Sequence, residues 1–248
     1  MSGESAPVLP SGRSSLRLSS PDVPAGLSVL VMAPHPDDFD EVAVTLRRII
    51  EAGGRLRLAV MSSSANGVED IYVDPPSDAV KAAVREEEQR RSMDFFGLPP
   101  ERLSFERLPT GEGGYVLDGA PGREKAAKLL AEDAYDVVVQ PHGQDTNPDH
   151  RRVCSWRRQA AAVLSRPPAA WLFRDPKTIA MRLDLVTPFG EEEAAWKAEL
   201  LRFHRSQQER GLHLRGYGLD ERILRVNRDT ARVAGLAEPY AEGFEIEG

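Results

Sequence analysis

A single cysteine, Cys154, stands in the 248 residues, so no internal disulfide and no thiolate zinc cluster can form, and any bound zinc must rest on histidine and carboxylate ligands. Positive charge is also in short supply: 32 Lys and Arg face 39 Asp and Glu, a formal net charge of −7 with a pI near 5.4. Binding to nucleic acid depends on a basic footprint that displaces counterions from phosphates, and this composition points instead to a small-molecule ligand. No apolar run is long enough to span a membrane. Residues 1–26 hold Ser, Pro and Gly where a signal peptide would carry an unbroken apolar core. The expectation is a cytoplasmic protein with a flexible N-terminal leader (1–26), one α/β domain (27–248), no membrane insertion, and a surface compatible with a homo-oligomer. With 41% hydrophobic residues the domain can bury a sizeable core.

What is present is an alternation of strand-like and helix-like segments. Residues 27–33 form an apolar run, 41–52 place apolar residues at helical spacing before Gly53-Gly54, and 56–61 are strand-like again. That is a βαβ unit, and it predicts a parallel sheet. Further along, the pattern predicts helices over 79–96, 123–133 and from about His150, strands over 103–108, 137–140 and 171–173, and a helix over 191–208. Beyond residue 223 the pattern is mixed.

The chemistry gathers at two strand ends. His35-Pro36-Asp37-Asp38 follows the first strand, and 141–150, with His142, Asp145, Asn147, Asp149 and His150, follows the strand at 137–140. Open α/β folds place ligands at such ends. A catalytic zinc takes three protein ligands and leaves one position for water, and His35, Asp38 and His150 are the expected set. Asp37, beside the metal, is then the expected base that takes a proton from the attacking water. Taken alone, the aspartates suit a helix N-cap and His150 suits an ordinary core or surface position; the pairing of two His/Asp clusters favours a metal site. Asp37-Asp38-Phe39-Asp40-Glu41 also fits the Asp-Asp-x-x-Asp/Glu pattern by which prenyl-diphosphate enzymes hold magnesium, but those are all-helical, and here a β-type run precedes the motif. In the polar loop 62–70, the serines and Asn66 could hydrogen-bond a sugar, although such turns also form for local backbone reasons. Arg151, Arg152, Arg157 and Arg158 make one helix locally basic, which reads as a solvated face.

With these motifs in this order, the chain resembles the PIG-L/LmbE-like family of zinc-dependent N-acetylglucosaminyl deacetylases. The likeness runs from about Val29 to Phe244. Arg85-Glu86-Glu87-Glu88 is similar to the family's Arg-x-x-Glu segment, His204-Arg205-Ser206-Gln207 to its His-x-Ser-Gln element, and Tyr240-Ala241-Glu242-Gly243-Phe244 to its closing Ala-Glu-x-Phe. The resemblance implies a Rossmann-like doubly wound, mostly parallel sheet with helices on both faces. It implies Zn2+ on His35, Asp38 and His150, Asp37 as base, and hydrolysis of the acetamide of an amino sugar. Arg85 would contact substrate hydroxyls. There are two departures. Asn147 stands where many members carry a histidine; it can stabilise an oxyanion but cannot act as an acid, which leaves His142 or His204 to supply the leaving-group proton. Glu41-Val42-Ala43-Val44 replaces a Gly-rich stretch and reshapes the wall beside the substrate. Two alternatives stand beside this reading: an amidase acting on a non-sugar amide, and a degenerate member that binds without turnover.

Overall fold

A strand that is apolar on both faces belongs in the middle of a sheet covered on both sides. β2 (Ser28–Ala33) meets this condition, being buried along its whole length. The computed structural model describes residues 16–18 and 22–248. The chain runs through β1 (Leu16–Arg17), β2, α1 (Ala43–Glu51), β3 (Arg55–Val60), α2 (Asp78–Phe96), β4 (Leu103–Phe105), α3 (Ala120–Ala131) and β5 (Val137–Pro141). It continues through α4 (Pro148–Ala161), β6 (Ala169–Phe173), β7 (Leu185–Phe189), α5 (Glu191–Leu201), α6 (Arg205–Arg215), α7 (Leu219–Val233) and β8 (Tyr240–Glu247).

The strands form one sheet in the order β1-β7-β8-β6-β5-β2-β3-β4. It is parallel except where β8 runs antiparallel to β6 and β7, so the expected Rossmann-like, mostly parallel architecture is present. From β2 the chain moves outward to β3 and β4, then returns to lay β5 on the other side of β2, with Val29 opposite Val137 and Val31 opposite Val139. Connections leave the carboxyl ends of β2 and β5 in opposite directions, and the crevice between them is the topological switch point where such sheets bind ligands.

Side chains alternate across β2 with a period of two. Val29, Val31 and Ala33 pack with Leu46 and Ile49 of α1 and Met93 of α2 on one face. Leu30 and Met32 pack with Leu129 and Leu130 of α3 and with Val153 and Trp156 of α4 on the other. Helices therefore cover both faces. Gly122 lets α3 approach α4, since a Cβ there would lie 2.4 Å from the Trp156 ring.

The structure revises several element boundaries. The helix expected over 191–208 breaks: α5 ends at Leu201 and α6 begins at Arg205, because His204 turns inward to a buried partner that helical periodicity does not reveal. The strand expected over 103–108 stops at Phe105. The mixed C-terminal pattern resolves into the amphipathic α7 and the antiparallel β8. Part of the expected leader joins the fold, with Leu16 and Arg17 pairing with Leu185 and Val186 and Leu18 and Val23 buried. The remainder of the leader, residues 1–15 and 19–21, lies outside the described residues. None of the described helices is long and apolar enough to cross a membrane.

Candidate metal centre

The turn after β2 is held by its own side chains. The Asp38 carboxylate accepts the backbone N–H of His35 at 2.7 Å. Asp37 sits at φ 102°, a region costly for a non-glycine residue, and α2 secures it there. Its N–H donates to Gln89 Oε1 at 3.0 Å, and its carboxylate lies 3.2 Å from the guanidinium of buried Arg85, which also donates to the Pro36 carbonyl. After β5, Asp145 accepts the N–H of Asn147, and Asn147 in turn caps α4 by accepting the N–H of Asp149 at 2.9 Å. Pro148 occupies the first turn, where its missing N–H costs nothing. His150 follows in that same turn, with its side chain directed back toward β2.

These two turns bring three donors together. His35 Nδ1 lies 3.5 Å from Asp38 Oδ2, and His150 Nε2 lies 3.6 Å from Asp38 Oδ1. All three residues are buried, and their donor atoms fall within 4.8 Å of one another. Ligands bound tetrahedrally to one zinc at about 2.0–2.2 Å stand roughly 3.3–3.6 Å apart, so the spacing suits such an ion. His150 Nε2 is buried with no hydrogen-bond partner, a costly arrangement unless a ligand takes its lone pair. The opposite ring nitrogens are tied back: His35 Nε2 to Asp149 at 3.1 Å and His150 Nδ1 to Asp145 at 3.1 Å. Metal-binding histidines are commonly oriented in this way.

The electrostatics match. Burial opposes charge on His35, but the neighbouring Asp38 and Asp149 prevail and push its pKa up to about 9. Burial likewise opposes ionisation of Asp38, yet the imidazoles of His150 and His35 hold its carboxyl well below the usual range. Burial opposes ionisation of Asp145 as well, but the hydrogen bond and charge of His150, together with the Asn147 N–H, hold its carboxyl low. Burial pushes its neighbour Asp175 up. Asp145, His150 and Asp175 form a second compact group of donors that shares His150 with the first.

The centre opens into a cleft of about 250 Å3 whose lining includes His35, Asp37, Asp38, Asn66, Arg85 and Asn147. Of the other residues expected to act, His142 and His204 do not line it. His142 accepts the N–H of Gln144 and faces Glu245 at 3.4 Å. His204 lies behind the wall, 2.5 Å from Asp40, which accepts from Gln89 and Ser92; since Gln89 also holds Asp37, His204 reaches the cleft only through that network. In the remainder of its segment, Gln207 lines the cleft and Ser206 is buried behind it. Ser206 donates to Glu88 through its N–H and hydroxyl, so Glu88 serves α6 and not Arg85, and Gln207 donates to the Gly67 carbonyl. The arginines of α4 are engaged as well, Arg151 with backbone carbonyls, Arg152 with Asp149, and Arg157 and Arg158 with Glu247.

Sequence reasoning gave no role to Asp145, Asp149, Lys177 or Arg222. For Asp145 a signal existed: an Asp-x-Asn turn five residues ahead of a candidate ligand. For Lys177 and Arg222 none did.

Residues 30–161 match the protein family described as GlcNAc-PI de-N-acetylase (PIG-L). No curated protein matches the chain. Among solved structures, N,N'-diacetylchitobiose deacetylase from Pyrococcus horikoshii is 18% identical with a TM-score of 0.73, over 89% of this chain and 83% of its own. The zinc-inhibited form of teicoplanin deacetylase Orf2 is 16% identical with a TM-score of 0.67, over 89% and 98%. The 4-carboxy-2-hydroxymuconate hydratase GalB from Pseudomonas putida is 14% identical with a TM-score of 0.63, over 90% and 96%. At these identities the likeness establishes the fold, which carries both hydrolytic and hydration chemistry in these relatives.

Proposed function

The chain belongs to the GlcNAc-PI de-N-acetylase (PIG-L) family, and we propose that it is a metal-dependent deacetylase removing the acetyl group of an N-acetylated amino sugar or amino-sugar conjugate. The observation that carries this reading is the unpartnered Nε2 of buried His150, facing Asp38 beside His35 at the floor of a polar cleft. His35, Asp38 and His150 would hold the ion, which we take to be zinc. Bound there, zinc supplies Lewis acidity that polarises an amide carbonyl and acidifies water.

The chain's own side chains do the rest. Asp37 faces the cleft with its carboxylate fixed by Arg85, placed to take a proton from the attacking water. Asn147 uses its amide oxygen to accept from Asp149, which leaves its NH2 group as the donor for the developing oxyanion. His142 and His204 do not reach the cleft, so protonated Asp37 is the group that returns the proton to the leaving amine as the C–N bond breaks, giving acetate and a free amine. Arg85 acts by positioning Asp37, and Asn66 faces the sugar hydroxyls. One buried cysteine and an acidic composition support a cytoplasmic setting.

The test is release of acetate and primary amine by the zinc-loaded protein across a panel of N-acetylated sugars. Cleavage only of non-sugar amides would move the substrate class, and zinc binding without any product would leave a binding protein.

A further inference from the structure

Resting on the deacetylase reading above, we propose that Glu41 is a specificity-determining residue of the cleft, its carboxyl hydrogen-bonding a hydroxyl of the amino sugar.

Glu41 follows the ligand Asp38 by one turn, in the short helical turn ahead of α1, and lines the same cleft as His35, Asp37 and Asp38. It is only 6% exposed, yet its Oε2 is buried with no hydrogen-bond partner. The other acidic residues of the lining are engaged, Asp37 with Arg85 and Asp38 and Asp149 with the two histidines. Lys177, in the same lining, lies 3.9 Å from the Asp175 carboxylate. Among the described residues, none supplies a donor to the orphaned oxygen of Glu41.

The main chain beneath this side chain is anchored. The Glu41 carbonyl accepts from Lys197 at 2.5 Å, and Lys197 is itself held by Glu242 and Asn227. A carboxyl fixed in this way is placed before any ligand arrives, so little ordering is needed on binding. Left without a partner in a buried position, such a group bears a desolvation cost, and a hydroxyl entering the cleft with the substrate relieves it. Burial, together with Asp175, Asp38 and Asp37, pushes the pKa of Glu41 well up. In its protonated form the group both donates and accepts, as a hydroxyl does. Glu41 also opens the segment Glu41-Val42-Ala43-Val44, where this chain departs from a Gly-rich stretch; glycine could offer no such side chain.

The experiment compares kcat/KM of the zinc-loaded full chain on methyl N-acetylglucosaminide and on its 3-deoxy, 4-deoxy and 6-deoxy analogues, in the natural protein and in Glu41→Ala and Glu41→Leu. In the natural protein at least one deoxy analogue should be poorer by about tenfold or more, the worth of one hydrogen bond in a buried site. That discrimination should vanish in both variants. Because each ratio is taken within one protein, a general loss of folded or active enzyme cancels, and what remains is the coupling between Glu41 and the missing hydroxyl. Equal kcat/KM on all four sugars in the natural protein, or a discrimination that survives in either variant, overturns the inference while leaving deacetylation standing. If the natural protein cleaves none of these sugars, deacetylation of them fails, and Kd values for the same four ligands by calorimetry decide the contact separately; a variant too slow to assay is read in the same way. The same coupling in Kd supports the contact, and its absence, or an absence of binding to the natural protein, overturns it.

Discussion

Asp145 holds His150 from behind: its Oδ2 lies 3.1 Å from Nδ1 of the ring, while Nε2 on the far side points at Asp38. The contact fixes the orientation of the imidazole and, under the proposed assignment, which nitrogen keeps its lone pair for the ion. Replacing such an orienting carboxylate typically costs about 10–100-fold in metal affinity. Asp145→Ala should therefore weaken zinc binding by that order in a competition titration against a chromophoric chelator. Unchanged affinity would mean that Asp145 serves only the turn before α4.

Asp37 makes no contact that a metal ligand requires, and its carboxylate is committed to Arg85. Asp37→Asn keeps the shape of the side chain, and Asn tolerates positive φ better than most residues. The variant should retain close to one zinc per chain by atomic absorption while its kcat falls by about 10²–10⁴-fold. Loss of zinc along with activity would make Asp37 a ligand.

Lys197 and Glu242 form a fully buried ion pair at 2.6 Å. Glu242 also accepts the N–H groups of Val44 and Thr45 at the start of α1, and Lys197 donates to the Glu41 carbonyl and to Asn227. The pair therefore ties the closing Ala-Glu-x-Phe element to the helix that follows the metal motif. Removing one partner strands a buried charge, and Lys197→Met should destabilise the protein by about 3–5 kcal/mol in urea denaturation. In Lys197→Met/Glu242→Gln the loss should be smaller than in the single variant.

In the metal-free protein, His35 has a folded pKa of about 9 against an ordinary 6.5. A raised histidine pKa stabilises the fold below pH 6.5, and that contribution is lost as pH rises through 9. On the proposed assignment zinc displaces this proton, so its affinity should climb up to about tenfold per pH unit between 6.5 and 9 and then level off. Calorimetry in buffers of different ionisation enthalpy would count the proton released; none released at pH 7.5 would contradict the assignment.

Much of the fold was legible from hydrophobic pattern, because β2, β3 and β5 are short buried runs bounded by turn residues and α1 has a clear apolar face. The antiparallel β8 was not, since its pairing between β6 and β7 joins elements about fifty or more residues apart. The break at His204 was hidden because Leu200, Leu201 and Phe203 continue a helical pattern, and only the buried contact with Asp40 explains why the helix stops.

The candidate site divides in the same way. The order and spacing of residues alone determined that any zinc would meet histidine and carboxylate, and singled out His35, Asp37, Asp38 and His150, because those side chains follow strands whose apolar pattern marks their ends. The tertiary structure decided which carboxylates back the histidines, that His142 and His204 stand outside the cleft, and that Lys177 and Arg222 stand inside it. The reason is physical: a strand end is announced by its neighbours in the chain, whereas contacts across a switch point depend on crossovers and register that bring distant segments together.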